Sequence, residues 1–137
     1  MPNQTTRAIQ DAIFQVSVAL GDNALTTRGN ALDLESVQPF PVTERITAQI
    51  VTTAGNGANN KNVNIRFQHS DVNLNANFVN ISELSILTIP EVSAAYAATT
   101  QNNALPPSTK RYIRLICVTE SSGGNPSNGT AAIKLLF

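Results

Sequence analysis

Apolar and polar residues alternate along much of this chain with a period of two. Ile46, Ala48 and Ile50 alternate with Arg45, Thr47 and Gln49, and Val63, Ile65, Phe67 and His69 alternate with Asn64, Arg66 and Gln68. Successive side chains of a strand point to opposite faces, so the pattern predicts two strands, each with one buried face. Residues 54–60 separate them and contain Asn56-Gly57, a pair that tolerates positive φ, which predicts a hairpin. A second, longer hairpin is predicted in the C-terminal quarter, around a polar loop at residues 120–129. Neither of its strands has a clean polar side. On the first, Ile113, Leu115 and Cys117 oppose Tyr112, Arg114, Ile116 and Val118; on the second, Ala131, Ile133, Leu135 and Phe137 oppose Ala132, Lys134 and Leu136. A free-standing antiparallel sheet alternates apolar and polar. The second face, formed by Tyr112, Arg114, Ile116, Val118, Lys134 and Leu136, is therefore expected to meet another sheet layer or another subunit.

Elsewhere the strand signals are shorter. Ala31-Leu32-Asp33-Leu34 predicts a strand, broken by Gln38-Pro39-Phe40-Pro41. Residues 71–77 read as a polar turn, 78–89 as one or two strands ended by Pro90, 91–100 as extended and 101–109 as a loop. Residues 1–20 fit two periods: Ile9, Ala12, Ile13 and Val16 have helical spacing, whereas Phe14, Val16, Val18 and Leu20 alternate as in a strand. Six to eight short strands with turn chemistry between them predict an all-β, single-domain jelly roll or two-sheet antiparallel sandwich. The domain is expected to span residues 31–137, behind an irregular N-terminal arm and turn-rich link at 1–30. Its core should contain Ile46, Ile50, Val63, Ile65, Phe67, Ile113, Leu115, Ile133 and Leu135. The arm is expected to reach over a neighbouring subunit, with Ile9, Ile13 and Phe14 as anchors. Tyr112, Arg114, Ile116, Val118 and Leu136 complete the candidate partner contacts.

Composition sharpens this. The chain has 137 residues, enough for one domain, and only 13% are charged, with a net charge of zero; about 25% is usual. A surface of amides and hydroxyls loses less solvation than a charged one when an interface forms, although an Asn/Thr-rich source proteome has the same composition. Lys and Arg are scattered rather than clustered, which argues against nucleic-acid binding by phosphate neutralisation. No apolar run is long enough to span a membrane, and the first residues lack the pattern of a secretory signal. With Cys117 the single cysteine, no internal disulfide can form. The expected site of synthesis and assembly is a reducing cytoplasm.

The candidate chemistry is thin. His69-Ser70-Asp71 has the residue types of a triad, but alternation turns Ser70 away from its neighbours. Asp71-Val72-Asn73-Leu74-Asn75-Ala76-Asn77 opens like a calcium loop, then places Ala76 where the turn needs Gly and Ser82 where a bidentate Glu belongs. Asn3, Asn80 and Asn128 begin N-x-Ser/Thr sequons, and nothing fixes the separation of Glu83 and Glu91. No catalysis, metal or cofactor is expected.

The order of motifs has a parallel. An N-terminal arm leads into Asn30-Ala31-Leu32-Asp33-Leu34. Next come Phe67-Gln68-His69-Ser70-Asp71, then Leu105-Pro106 and Arg111-Tyr112-Ile113-Arg114-Leu115, then a terminal alternating strand. Over roughly residues 10–137 this resembles the cement, or decoration, proteins of short-tailed phages, the group to which the Bordetella phage cement protein belongs. The chain departs from that pattern in lacking a Gly after residues 89–98. The resemblance implies a jelly-roll subunit on the outer surface of an icosahedral head in the virion, made in the host bacterial cytoplasm. Such a subunit clamps neighbouring major capsid proteins, often as a homodimer, with a trimer possible. The resemblance implies no catalyst and no cofactor. A carbohydrate- or receptor-binding jelly-roll module of a phage fibre is the alternative; the aromatic content of 5%, without Trp, weighs against it. A major coat protein of a small virus is a third reading, disfavoured by the absence of a basic arm.

Overall fold

A computed structural model describes residues 15–19, 26–34, 46–53, 62–89, 97–120 and 129–136. Among them ten strands form two antiparallel sheets that pack face to face. These are β1 (Gln15–Ala19), β2 (Thr26–Arg28), β3 (Leu32–Asp33), β4 (Thr47–Thr52), β5 (Val63–Ser70), β6 (Val79–Asn80), β7 (Leu87–Ile89), β8 (Thr100–Ala104), β9 (Tyr112–Thr119) and β10 (Thr130–Leu136). The first sheet has the order β1-β10-β4-β8; the second has β2-β9-β5-β6, with β3 also on β9 and β7 also on β5. With β2/β3 and β6/β7 each taken as one interrupted strand, this is the eight-strand jelly-roll order. The pairing is nested: β5 with β6, β4 with β8, β2 with β9, and β1 with β10.

This order corrects both predicted hairpins. β4 and β5 lie in different sheets, and so do β9 and β10. Each of these strands buries an apolar face, and a strand and its successor can satisfy that need by facing each other across the core as well as by pairing edge to edge. Alternation fixes which side is buried but not the partner. The turn at residues 54–60 and most of the loop at 120–129 lie outside the described residues.

β1 pairs with β10 and β2 pairs with β9, so Gln15–Ala19 and Thr26–Arg28, within the stretch read as arm and link, are strands of the sandwich. The strand alternation of Val16 and Val18 wins over the helical one, and Val18 is buried in the core. A further correction is β8. Gln101-Asn102-Asn103-Ala104 read as a loop because these residues carry no apolar alternation; with Thr100 they form the edge of the first sheet, and Asn103 is its one buried residue. The segment at 91–96 lies outside the described residues.

The core lies between the sheets. Ala48, Ile50, Ala131, Ile133 and Leu135 come from one; Leu32, Val63, Ile65, Phe67, Ile113, Leu115 and Cys117 come from the other. Eight of the nine expected core residues are fully covered, and Ile46, one position before β4, is partly buried against them. Between β2 and β3 the chain advances four residues while β9 advances three, from Arg28↔Ile116 to Leu32↔Ile113. The extra residue makes a bulge, held by Gly29 N–H donating to the Leu115 carbonyl at 3.0 Å. The bulge lets Leu32 enter the core although Arg28 points outward. At the far end, Asn62 N–H donates to Glu120 Oε1 at 2.8 Å and Glu120 N–H to the Asn62 carbonyl at 3.1 Å, closing the β5·β9 ladder.

Candidate partner interface

The outward face of the second sheet carries the most unusual surface chemistry. Residues paired directly across antiparallel strands share a face, so the register defines its rows. One row is Thr26, Val118, Asn64 and Thr88; the next is Arg28, Ile116 and Arg66; the third is Arg114, Gln68 and Asn80; the last is Asp33, Tyr112 and Ser70. The first three rows contain three arginines and no carboxylate. Asp33, in the last, accepts hydrogen bonds from Arg111 Nε and Nη2, each at 2.9 Å.

Half of this face is covered by the chain itself. Residues 71–78 leave β5, form a 3-10 turn at Asn75–Asn77 and fold back over Arg114. Arg114 Nη1 donates to Asn75 Oδ1 at 2.6 Å and Nε donates to Gln68 Oε1 at 3.0 Å, and the guanidinium lies 3.9 Å from the centroid of the Phe78 ring. Gln68 Nε2 in turn donates to Asn80 Oδ1 at 3.1 Å. Arg114 is 3% exposed. Burial, and secondarily the charge of Arg28, pull its pKa below the usual arginine value. Within its own chain Arg114 is met by two amides and a ring.

The other half is open. Val118 is 37% exposed and Arg28 is exposed. Ile116 points away from the core yet is only 8% exposed. Its direct cross-strand neighbours are Arg28 and Arg66, whose apolar stems can lie along it. Arg66 is half-buried, and its Nε is buried with no hydrogen-bond partner among the described residues.

Of the expected contacts, Tyr112, Arg114, Ile116 and Val118 therefore share one surface. Leu136 and Lys134 do not join them. They project from the outer side of β10 in the first sheet, on the opposite face of the sandwich. Ile9, Ile13 and Phe14 lie outside the described residues. Arg28 and Arg66 were not singled out in sequence. The polar phase of the β5 alternation already pointed Arg66 outward, but only the β2·β9 register brings Arg28 beside it. Four other exposed aliphatic residues, Val72, Leu74, Val79 and Ile86, all come from the segment between β5 and β7.

Asn3, Glu91 and Asn128 lie outside the described residues; the other candidates have structural partners. His69 Nδ1 accepts from Lys110 N–H at 3.3 Å, and Ser70 Oγ accepts from Val72 N–H at 3.2 Å. Burial first, then Lys110, lowers the His69 pKa; Glu83 and Asp71 oppose them. Asp71 pairs with Lys110 at 3.0 Å. Glu83 accepts from Ser108 at 3.0 Å. Its pKa is lowered by its own backbone N–H, and further by the Ser108 and Ser82 hydroxyls. Burial pushes the Cys117 thiol up to about 12. Among the described residues no group of three or more His, Cys, Asp or Glu side chains could hold a metal, and no helix is long and apolar enough to cross a membrane. Compared with known proteins, the chain matches no family model, and no curated protein matches it.

Proposed function

We propose that this chain is a structural virion subunit that binds the outer surface of an icosahedral phage head and clamps neighbouring major capsid proteins. The motif order set out above supports this reading, as does the jelly-roll architecture. The observation that carries it is the outward face of the second sheet, where aliphatic and arginine side chains lie side by side. Tyr and Arg are favoured interface anchors because they join large contact area to directional hydrogen bonds. Each subunit needs to bind only modestly. Many copies engaging a continuous lattice, each bridging two capsid proteins, convert weak contacts into large shell stabilisation. Self-association, as a homodimer or trimer, belongs to the same proposal.

The test mixes purified subunit with expanded heads that lack it and separates bound from free by sedimentation, with a glycan array in parallel. Saturable binding to heads, together with increased resistance of the heads to heat, is the expected result. Glycan binding without head binding would assign the chain to the fibre-module class instead.

A further inference from the structure

We infer that the open half of this face receives an extended, carboxylate-bearing segment of a protein partner, laid across Ile116 with its acidic side chains on Arg66 and Arg28. The inference rests on reading the chain as a partner-binding subunit and specifies the chemistry of the contact.

Charge is the first argument. Across the three rows that hold Arg28, Arg66 and Arg114 there is no acidic side chain. The repulsion is felt within the face, since Arg28 adds to the depression of the Arg114 pKa. Arg114 is provided for by Asn75, Gln68 and Phe78. Among the described residues Arg28 and Arg66 have no comparable set.

The second argument is the state of Arg66. Its Nε is shielded from solvent and makes no hydrogen bond to the described residues. Buried donors are nearly always satisfied, and each exception calls for a cause. Arg66 as a whole is half-buried, so by turning outward it would present Nε and a terminal nitrogen together to a partner carboxylate, the bidentate geometry that arginine favours.

Spacing is the third. Arg28 and Arg66 sit on strands either side of β9, so their backbones stand roughly 10 Å apart. Carboxylates on alternate residues of an extended segment are roughly 7 Å apart, within the reach of two flexible arginine stems. Ile116 and Val118 between and beside them match the apolar residues such a segment carries. A single-stranded nucleic acid would ask for aromatic side chains on which its bases stack, beside the cations that meet its backbone, and the two open rows contain no aromatic residue.

The experiment uses the full chain and two labelled peptides, Glu-Val-Glu-Val-Glu-Val and its Gln-for-Glu analogue, followed by expanded heads. The Glu peptide should bind at least about tenfold tighter than the analogue, and the difference should shrink as salt rises. On heads, Arg66→Gln should weaken binding roughly 30-fold, mainly through faster release. Arg66→Lys should not restore it, because an ammonium lacks the planar fork. Arg28→Gln should cost about 3- to 10-fold, mainly in the association rate at low salt. Arg28 is exposed, so this variant tests the proposal even should Arg66 variants misfold. Equal binding of the two peptides would overturn the inference. So would wild-type head binding by both Gln variants, tighter binding to a single-stranded oligonucleotide than to the Glu peptide, or loss of self-association in place of head binding. Should wild type prefer the Glu peptide yet ignore heads, the capsid reading fails and this one stands. Should heads bind every variant alike, the reverse holds.

Discussion

Replacing Arg114 with Ala should detach residues 71–78 from the second sheet while leaving the sandwich folded. The guanidinium makes two short hydrogen bonds, to Gln68 and Asn75, and covers the Phe78 ring. A hydrogen bond from a charged donor contributes about 1.5–3 kcal/mol, and a desolvated cation–π contact about 2 kcal/mol. Against these stands the cost of keeping a charge buried, visible in the lowered pKa of Arg114, which the variant escapes. Water can replace the donor at exposed Asn75 but reaches Gln68, 8% exposed, poorly. The net loss should be about 2–3 kcal/mol, concentrated in the loop. Urea unfolding measures the total. Hydrogen exchange measures its location, because Asn77 N–H donates to the Leu74 carbonyl at 2.9 Å within the loop and should lose protection first. Asn75→Ala should reproduce part of the effect, and the double variant should fall short of the sum. A loss under about 0.5 kcal/mol, the range of ordinary surface changes, with exchange in 71–78 unaltered would refute the latch.

Three further outcomes are expected. Phe67→Ala and Leu115→Ala, which remove adjacent fully buried side chains of the β5·β9 pair, should each cost about 2–5 kcal/mol in chemical denaturation. A lowered folded-state pKa means that His69 binds its proton less readily when folded than when unfolded. Its contribution is therefore present above pH 6.5, the unfolded value, and is lost as pH falls from there through the folded pKa; His69→Gln should flatten that part of the stability profile. Cys117, buried and with its pKa pushed up to about 12, should react with thiol reagents only as fast as the domain unfolds globally; rapid labelling of the native protein would contradict its place in the core.

The side each strand buries was legible from period alone. Ile50, Val63, Ile65, Phe67, Ile113, Leu115, Ile133 and Leu135 are all where alternation puts them. What alternation cannot encode is the neighbour. β4 and β5 read as a hairpin, and so did β9 and β10, because an apolar face satisfied across the core looks the same as one satisfied beside a paired strand. β8 was invisible for the opposite reason: an edge strand with one buried residue has almost no apolar pattern. The outward face of β9 was recognised as needing cover, but not its source. Arg114 is met by Asn75, 39 residues earlier, through an amide rather than the opposite charge that sequence reasoning looks for. Arg28 lay in a segment read as a turn, and only the bulge at Gly29 explains how an arginine and a core leucine, Leu32, come from so short a stretch.

The nested pairing also sets an order of assembly within the chain. Gln68 and Asn80, across β5 and β6, are 12 residues apart, whereas Gln49 and Asn102, across β4 and β8, are 53 apart. The β1·β10 pair closes nearly the whole described chain. β10 also lies between β1 and β4. Until residues 130–136 leave the ribosome, the first sheet is two separate pieces, with the open edge of β4 and the apolar side of Ile50 uncovered. Loop closure over such spans is slow, and unpaired edges are aggregation-prone while they wait. The last of the described strands in chain order is thus the one that joins the first sheet, and the yield of soluble subunit should depend more on β10 than on any other strand.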